Sequence, residues 1–258
     1  CSLINRDARG SLWISPAGFV EATNQNIGSL STTGVDFNVS YNTELGSMGS
    51  LSASIVGTWL DSLAAPVPAP GGGAASAVVL AIGAAVAEMV AGYAPSGQDR
   101  DASLAAVSAV RREALAAADR DAAASAALIA AFRRDDTDAD AATLREIATE
   151  RRQALDVATQ SSLGIALAAA PLGNALAWLA EHGEPRLAPD VVVAARTVAA
   201  GVRSAAATAH ANVEASVPER STDEAGSREL SRLRDAVSGV FALAATLDEI
   251  ADRVTSRL

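Results

Sequence analysis

Residues 66–90, "PVPAPGGGAASAVVLAIGAAVAEMV", decide how this chain is read. A proline-rich lead runs into Gly71, Gly72 and Gly73, and then into a long run of small apolar residues. Three readings compete: a phosphate-cradling loop, a membrane span, and a loop that opens a core helix. A Walker-type loop needs a lysine after its glycines, and all 20 basic residues of this chain are Arg. From Ala74 to Ala87 only 14 residues pass without a charge before Glu88, short of the about 20 that a span requires. The expectation is therefore a proline-bounded glycine loop at the start of a helix. Its uncovered backbone N–H groups would attract an anionic group. Equally, the glycines can serve only a sharp turn or a close helix contact.

Downstream of this stretch the apolar pattern stays helical. Leu230, Leu233, Val237, Val240, Ala244, Leu247, Ala251, Val254 and Leu258 step by three and four, preceded by "STDE" as a capping box. The spacing predicts a long helix packed in a bundle. Further helices are predicted over about 73–93, 100–133, 140–170, 172–181 and 190–216, with Pro171, Pro185 and Pro189 at breaks or starts. Half of the 258 residues are hydrophobic yet only 3% are aromatic. Such a core of Ala, Val and Leu suits close helix packing. A net charge of −10 leaves no basic excess for a nucleic-acid groove. The absence of Lys removes Schiff-base chemistry. Cys1 is the only cysteine, and His182 and His210 the only histidines, so neither a disulfide nor a Cys/His metal site is expected. A start at Cys rather than Met, without a signal peptide, predicts a truncated or processed beginning.

The front of the chain has a different composition. Residues 1–60 hold five Asn and four Ala; residues 61–258 hold two Asn and 57 Ala. So abrupt a shift predicts a domain boundary or fusion joint. In "GVDFNVSY" and "LSASIVGTW" apolar and polar residues alternate, with "NTELGSMGS" as a turn-rich connector. The wording of "CSLINRD" and "ATNQNIGSLSTTGVDFNVSYNTELGSMGSLS" resembles a late barrel segment of a TonB-dependent receptor, over about residues 1–55. Two or three strands cannot close a barrel, so a non-functional fragment, or a small β appendage, is expected. The whole is thus predicted as an all-α helical bundle with long Ala-rich helices over 56–258, plus a short N-terminal β-hairpin-like or disordered appendage over 1–55.

Several side chains carry possible chemistry. Asp136, Asp138 and Asp140 have calcium-loop spacing, but Ala141 and Ile147 stand where Gly and Glu are needed; a solvated loop and helix cap is expected there. Asp121 interrupts the stripe Val107, Val110, Ala114, Ala118, Asp121, Ser125, Leu128, Phe132. A core-facing carboxylate is costly unless partnered, and desolvation suits such groups to acid–base work. Its alternative is a buried structural pair with an Arg from another helix. Asp190 follows Pro189 at a helix start, where capping alone accounts for an Asp. Asn212 lies on the stripe Val198, Val202, Ala205, Ala209, Asn212, Ser216. On an unbroken helix, 22 residues place Asp190 and Asn212 about 33 Å apart, so within one subunit they serve different ends of a long site, or a partner subunit joins them. His210 and Glu214 have the spacing of a base with its orienter, or of a solvated pair.

The stretch "LAAPVPAPGGGAASAVVLAIGAAVAEMVAGYA" closely resembles the start of the cyclodeaminase domain of the formiminotransferase-cyclodeaminase family. Further matches follow in order: Asp121 in "ADRDAAASAAL", Pro171 in "ALAAAPLGNALAWL", Gly183, Asp190 and Ala194 in "HGEPRLAPDVVVAA", and Asn212 in "AHANVEAS". Glu184, Pro189 and Ser216 depart from the family pattern, and Ala94 stands near the place of a Thr that commonly follows the Met-Val helix end; these lie in elements expected to shape the substrate end. The resemblance covers about residues 55–258. It implies an all-helical fold, a homodimer or higher assembly, a cytoplasmic enzyme, and a tetrahydrofolate derivative as substrate. The reaction it implies is elimination of ammonia from 5-formiminotetrahydrofolate, or the related cyclohydrolase step, with no cofactor, metal, membrane or nucleic acid. Asp121 and Asp190 are then candidates for the proton donor, and Gly71, Gly72, Gly73 and Asn212 for substrate contacts, the glycines holding a carboxylate of the folate tail. The competing expectations are a receptor fragment without activity and a helical interaction module that has lost catalysis.

Overall fold

The structure is a computed structural model that describes residues 4–5, 19–20, 43–44, 50–51, 62–67, 69–137, 139–220 and 224–258. Backbone contacts divide the chain into two units, 1–36 and 37–258. In the first, β1 (Ile4–Asn5) pairs antiparallel with β2 (Phe19–Val20). In the second, β3 (Thr43–Glu44) pairs antiparallel with β4 (Ser50–Leu51), Thr43 opposite Leu51. Of the connector "NTELGSMGS", Thr43, Glu44 and Ser50 take part in this pairing, and its other residues lie outside those described. The alternating runs Val35–Tyr41 and Ala53–Trp59 lie outside the described residues, and with them most of the segment that resembles a receptor barrel.

The helical bundle is built from α1 (Gly72–Tyr93), α2 (Gln98–Arg133), α3 (Ala141–Ala168), α4 (Ala170–His182), α5 (Ala188–Ala215), a single turn α6 (Val217–Arg220) and α7 (Glu224–Thr255). Each long helix falls within a few residues of its expected range. Asp140 caps α3, accepting from the backbone N–H of Ala142 at 3.1 Å and of Thr143 at 2.8 Å. Pro171 restarts the chain as α4 immediately after α3 ends. Pro185 opens a 3-10 turn, and Pro189 lies in the first turn of α5. That helix starts at Ala188 with Leu187 as N-cap, so Asp190 sits inside the first turn rather than capping it.

Helix α1 packs chiefly along α5 and α2, and α5 in turn along α7 and α3. Small residues set the α1–α5 spacing: a Cβ on Gly201 would lie 2.9 Å from the backbone nitrogen of Leu80. Thr208 stands beside Gly72, and Val198 beside Gly83, so these two helices run antiparallel. Leu80, Ala84, Val198, Val202, Val240 and Leu247 are all sealed in one core. The α7 stripe is buried from Leu230 to Val254 apart from the half-buried Leu233, and leaves the core only at Leu258, which is 70% exposed.

One expectation is corrected here. The charge at Glu88 does not place α1 below spanning length: the helix runs through it for 22 residues, close to its expected range, and Arg111 donates to the Glu88 carboxylate at 2.5 Å. By length and composition alone, Gly72–Tyr93, Ala141–His182 and Pro185–Ala215 are each long and apolar enough to cross a membrane. In the bundle about half of each most apolar window is buried, and a helix packed on several sides is apolar for that reason.

A buried carboxylate at the glycine loop

The bundle brings the N-terminus of α1 and the middle of α2 together. Gly71 is the extended N-cap of α1, and no side chain caps that end. The first N–H groups of a helix have no partner within it, and here they sit beside Asp121. Gly73 is glycine out of necessity: a Cβ would lie 2.6 Å from the carboxyl carbon of Asp121. Ser125 approaches Gly71 from the same helix as Asp121, and Thr208 approaches Gly72 from α5.

Asp121 is 2% exposed, and it is the only buried acid among the described residues. The expected alternative, a buried pair with an Arg, is not formed among the described residues. Hydroxyls surround the carboxylate instead. Ser161 donates to Oδ1 at 3.0 Å, Ser162 to the same oxygen at 3.5 Å, and Ser125 to Oδ2 at 3.5 Å. Serine hydroxyls and a helix N-terminus offset part of the desolvation cost of a carboxylate, as a cation would elsewhere. The stripe that carries Asp121 turns outward beyond it: Ser125 and Leu128 are half-buried and Phe132 is 50% exposed.

The remaining candidates fall into two places. Asn212, half-buried, lies one turn beyond Thr208 on α5, at the glycine-loop end. Asp190, also half-buried, lies at the other end of the same unbroken helix, about 33 Å away by its rise. Gly71, Gly72, Gly73 and Asp121 are therefore brought together, with Asn212 at the same end, and Asp190 is not. Glu184 and Pro189 share the Asp190 end, near a cleft of about 220 Å³ lined by Leu179, Glu184, Pro185, Val191, Val254 and Arg257. Of the departures from the family pattern only Ser216 is at the glycine-loop end; Ala94 is the C-cap of α1, a helix length away from it. Ser216 is the C-cap of α5, and its hydroxyl donates to the Val213 carbonyl at 2.7 Å.

Two other expected groupings resolve into surface chemistry. Arg234 takes the Glu214 carboxylate at 2.8 and 2.9 Å, so Glu214 does not serve as an orienter for His210. That contact first, with a smaller contribution from His210, holds the Glu214 carboxyl below its usual value. In the acidic loop, Arg151 pairs with Asp136 at 2.9 Å, Asp135 accepts from Thr137, and Asp140 is the helix cap. Asp138 lies outside the described residues. Among those described, no group of three His, Cys, Asp or Glu side chains is placed to hold a metal ion.

The serine surround is not legible in the sequence. Ser125 was visible on the Asp121 stripe, but Ser161 and Ser162 lie 40 and 41 residues away, and only the α2–α3 packing brings them to the carboxylate.

Fold and site define an all-helical bundle organised around one buried acid beneath a glycine-opened helix. Comparison with known families matches residues 55–230 to Formiminotransferase-cyclodeaminase. The chain belongs to that family, and the match begins where the composition changes. No curated protein matches significantly. Among solved structures, the formiminotetrahydrofolate cyclodeaminase of Thermotoga maritima shares the fold, with a TM-score of 0.57 at 21% identity, over 77% of this chain and 96% of that one. Family membership places the chain among folate-interconverting enzymes.

Proposed function

We propose that the helical domain is a cyclodeaminase, closing 5-formiminotetrahydrofolate to 5,10-methenyltetrahydrofolate with release of ammonia. The observation that carries this reading is the buried Asp121 carboxylate, which accepts from serine hydroxyls and, among the described residues, has no cation beside it, at a glycine-loop helix N-terminus. In the reaction N10 attacks the protonated formimino carbon, N10 loses its proton, and the amino group gains one before leaving as ammonia. One acid–base group that takes the first proton and returns it to the leaving nitrogen serves both transfers. The remaining demand is to hold N10 against the carbon, which a rigid site meets by positioning. Asp121 fills the acid–base role in this reading, and its negative charge suits the cation present at both ends of the reaction.

The glycines take a different role from the one the sequence suggested. With Asp121 already beside them, a folate tail carboxylate at the same place would meet a like charge. The Gly71–Gly73 backbone then borders the reacting end, with Asn212 one turn beyond Thr208 as a polar contact. Asp190 takes part only where the site spans two subunits. The exposed apolar side chains Ile82, Met89 and Tyr93 of α1 and Val193 of α5 support a homodimer. The reading needs no cofactor or metal, and has the domain acting in the cytoplasm, off the membrane and without nucleic acid. Incubation of the purified protein with 5-formiminotetrahydrofolate tests it: methenyl absorbance and free ammonia should rise together. Turnover of the formyl substrate alone would instead mark a cyclohydrolase.

A further inference from the structure

A carboxylate that is 2% exposed meets substrate only through a neighbour. Three hydroxyls touch Asp121, and they differ. Ser162 is itself sealed, at 1% exposure. Ser125 is half-buried, but its 3.5 Å separation from Oδ2 stands at the outer edge of hydrogen bonding. Ser161 is half-buried and donates to Oδ1 at 3.0 Å, a normal bond. It alone combines a full hydrogen bond to the buried acid with an accessible side.

Resting on the cyclodeaminase reading, we propose that Ser161 is the catalytic residue that meets the substrate, passing protons between it and Asp121. As the N10–carbon bond forms, the N10 proton moves to Ser161 Oγ while the Ser161 proton moves to Asp121 Oδ1. In the second half Asp121 returns its proton to Ser161 Oγ, and Ser161 gives its own to the amino nitrogen. The carbon–nitrogen bond then breaks, and its electron pair leaves with ammonia. Both side chains end as they began, and the methenyl cation remains. A hydroxyl in this position also explains how an acid without an ion-pair partner among the described residues stays linked to the surface: Ser161 is its wire.

The test combines two variants with an isotope measurement on the unaltered protein. Ser161→Ala should lower kcat by about 10²- to 10⁴-fold, the usual worth of positioned proton transfer, with KM changed less than about threefold and the melting temperature retained. Ser161→Thr, which keeps the hydroxyl, should recover most of the rate. In mixtures of H₂O and D₂O the rate of the unaltered protein should curve with deuterium fraction, since two protons move together. Full activity in Ser161→Ala, a larger loss in Ser125→Ala, or a straight-line isotope dependence in the unaltered protein would each overturn the relay while leaving the cyclodeaminase reading intact. Absence of turnover by the unaltered protein would overturn both. The isotope measurement needs no variant, so a Ser161→Ala protein that fails to fold does not shelter the proposal.

Discussion

At the scale of single residues the account rests on Asp121 and the glycine beneath which it sits. Asp121→Asn keeps the shape and one oxygen to accept from Ser161 and Ser162, with Ser125 turned to accept from the amide, but cannot carry a proton. It should therefore cut turnover by about 10²-fold or more with an unchanged melting curve; an unchanged rate would remove Asp121 from the chemistry. Gly73→Ala places a methyl against the carboxyl carbon, and with backbone on one side and a sealed acid on the other neither has room to give. That variant should lose both stability and activity. A pH effect belongs here too. The Arg111 hydrogen bond, against desolvation, holds the Glu88 carboxyl below its usual value. A lowered folded value means the stabilisation is present above the unfolded value of about 4.3 and is lost as pH falls through the folded one. Unfolding free energies of Glu88→Gln and the unaltered protein, from urea titrations, should differ near pH 7 by no more than about 1 kcal/mol for so open a pair, and converge as pH falls through the lowered folded value. A difference that persists in acid would rule out the ion pair as its source.

At the scale of elements the sequence was legible wherever one residue type acts locally. Helix periodicity located α2, α5 and α7, proline marked the α3–α4 break and the turn before α5, and Asp140 announced its cap. What escaped were contacts made by packing. Nothing in "QSSLG" distinguishes its serines from solvent-facing ones, and only α2–α3 packing turns them toward Asp121. The Arg220 side chain, buried at 7% exposure and paired with Asp156 and with Glu229 at 2.5 Å, was equally silent, since it ties a one-turn helix to α3 and α7. Glu88 is a poor marker of helix character for a related reason: its Arg111 partner on α2 is brought to it by packing. Two predictions test the elements. Asp140→Ala should cost about 1 kcal/mol through loss of the α3 cap, measured by urea unfolding. Gly201→Val should force α1 and α5 apart and lower stability by more than the cap does; a neutral effect would contradict the close crossing.

At the scale of the whole molecule, one long helix keeps two sets of family-like residues at opposite ends. Gly71–Gly73, Asp121 and Asn212 share one end; Gly183, Glu184 and Asp190 share the other. Changes at the Asp190 end should therefore alter rate only through an assembly that brings a second subunit's glycine-loop end nearby. The front segment precedes the residues matched to the family, which begin at residue 55. Deleting residues 1–52 should leave melting and turnover unchanged, as calorimetry and rate measurements on the shortened chain would show. The most direct measurement remains turnover of 5-formiminotetrahydrofolate by the purified protein and its Asp121→Asn variant. The account predicts methenyl-folate and ammonia in equal amounts from the first and nearly none from a folded second. No product from the unaltered protein, or equal rates from the two, would contradict it.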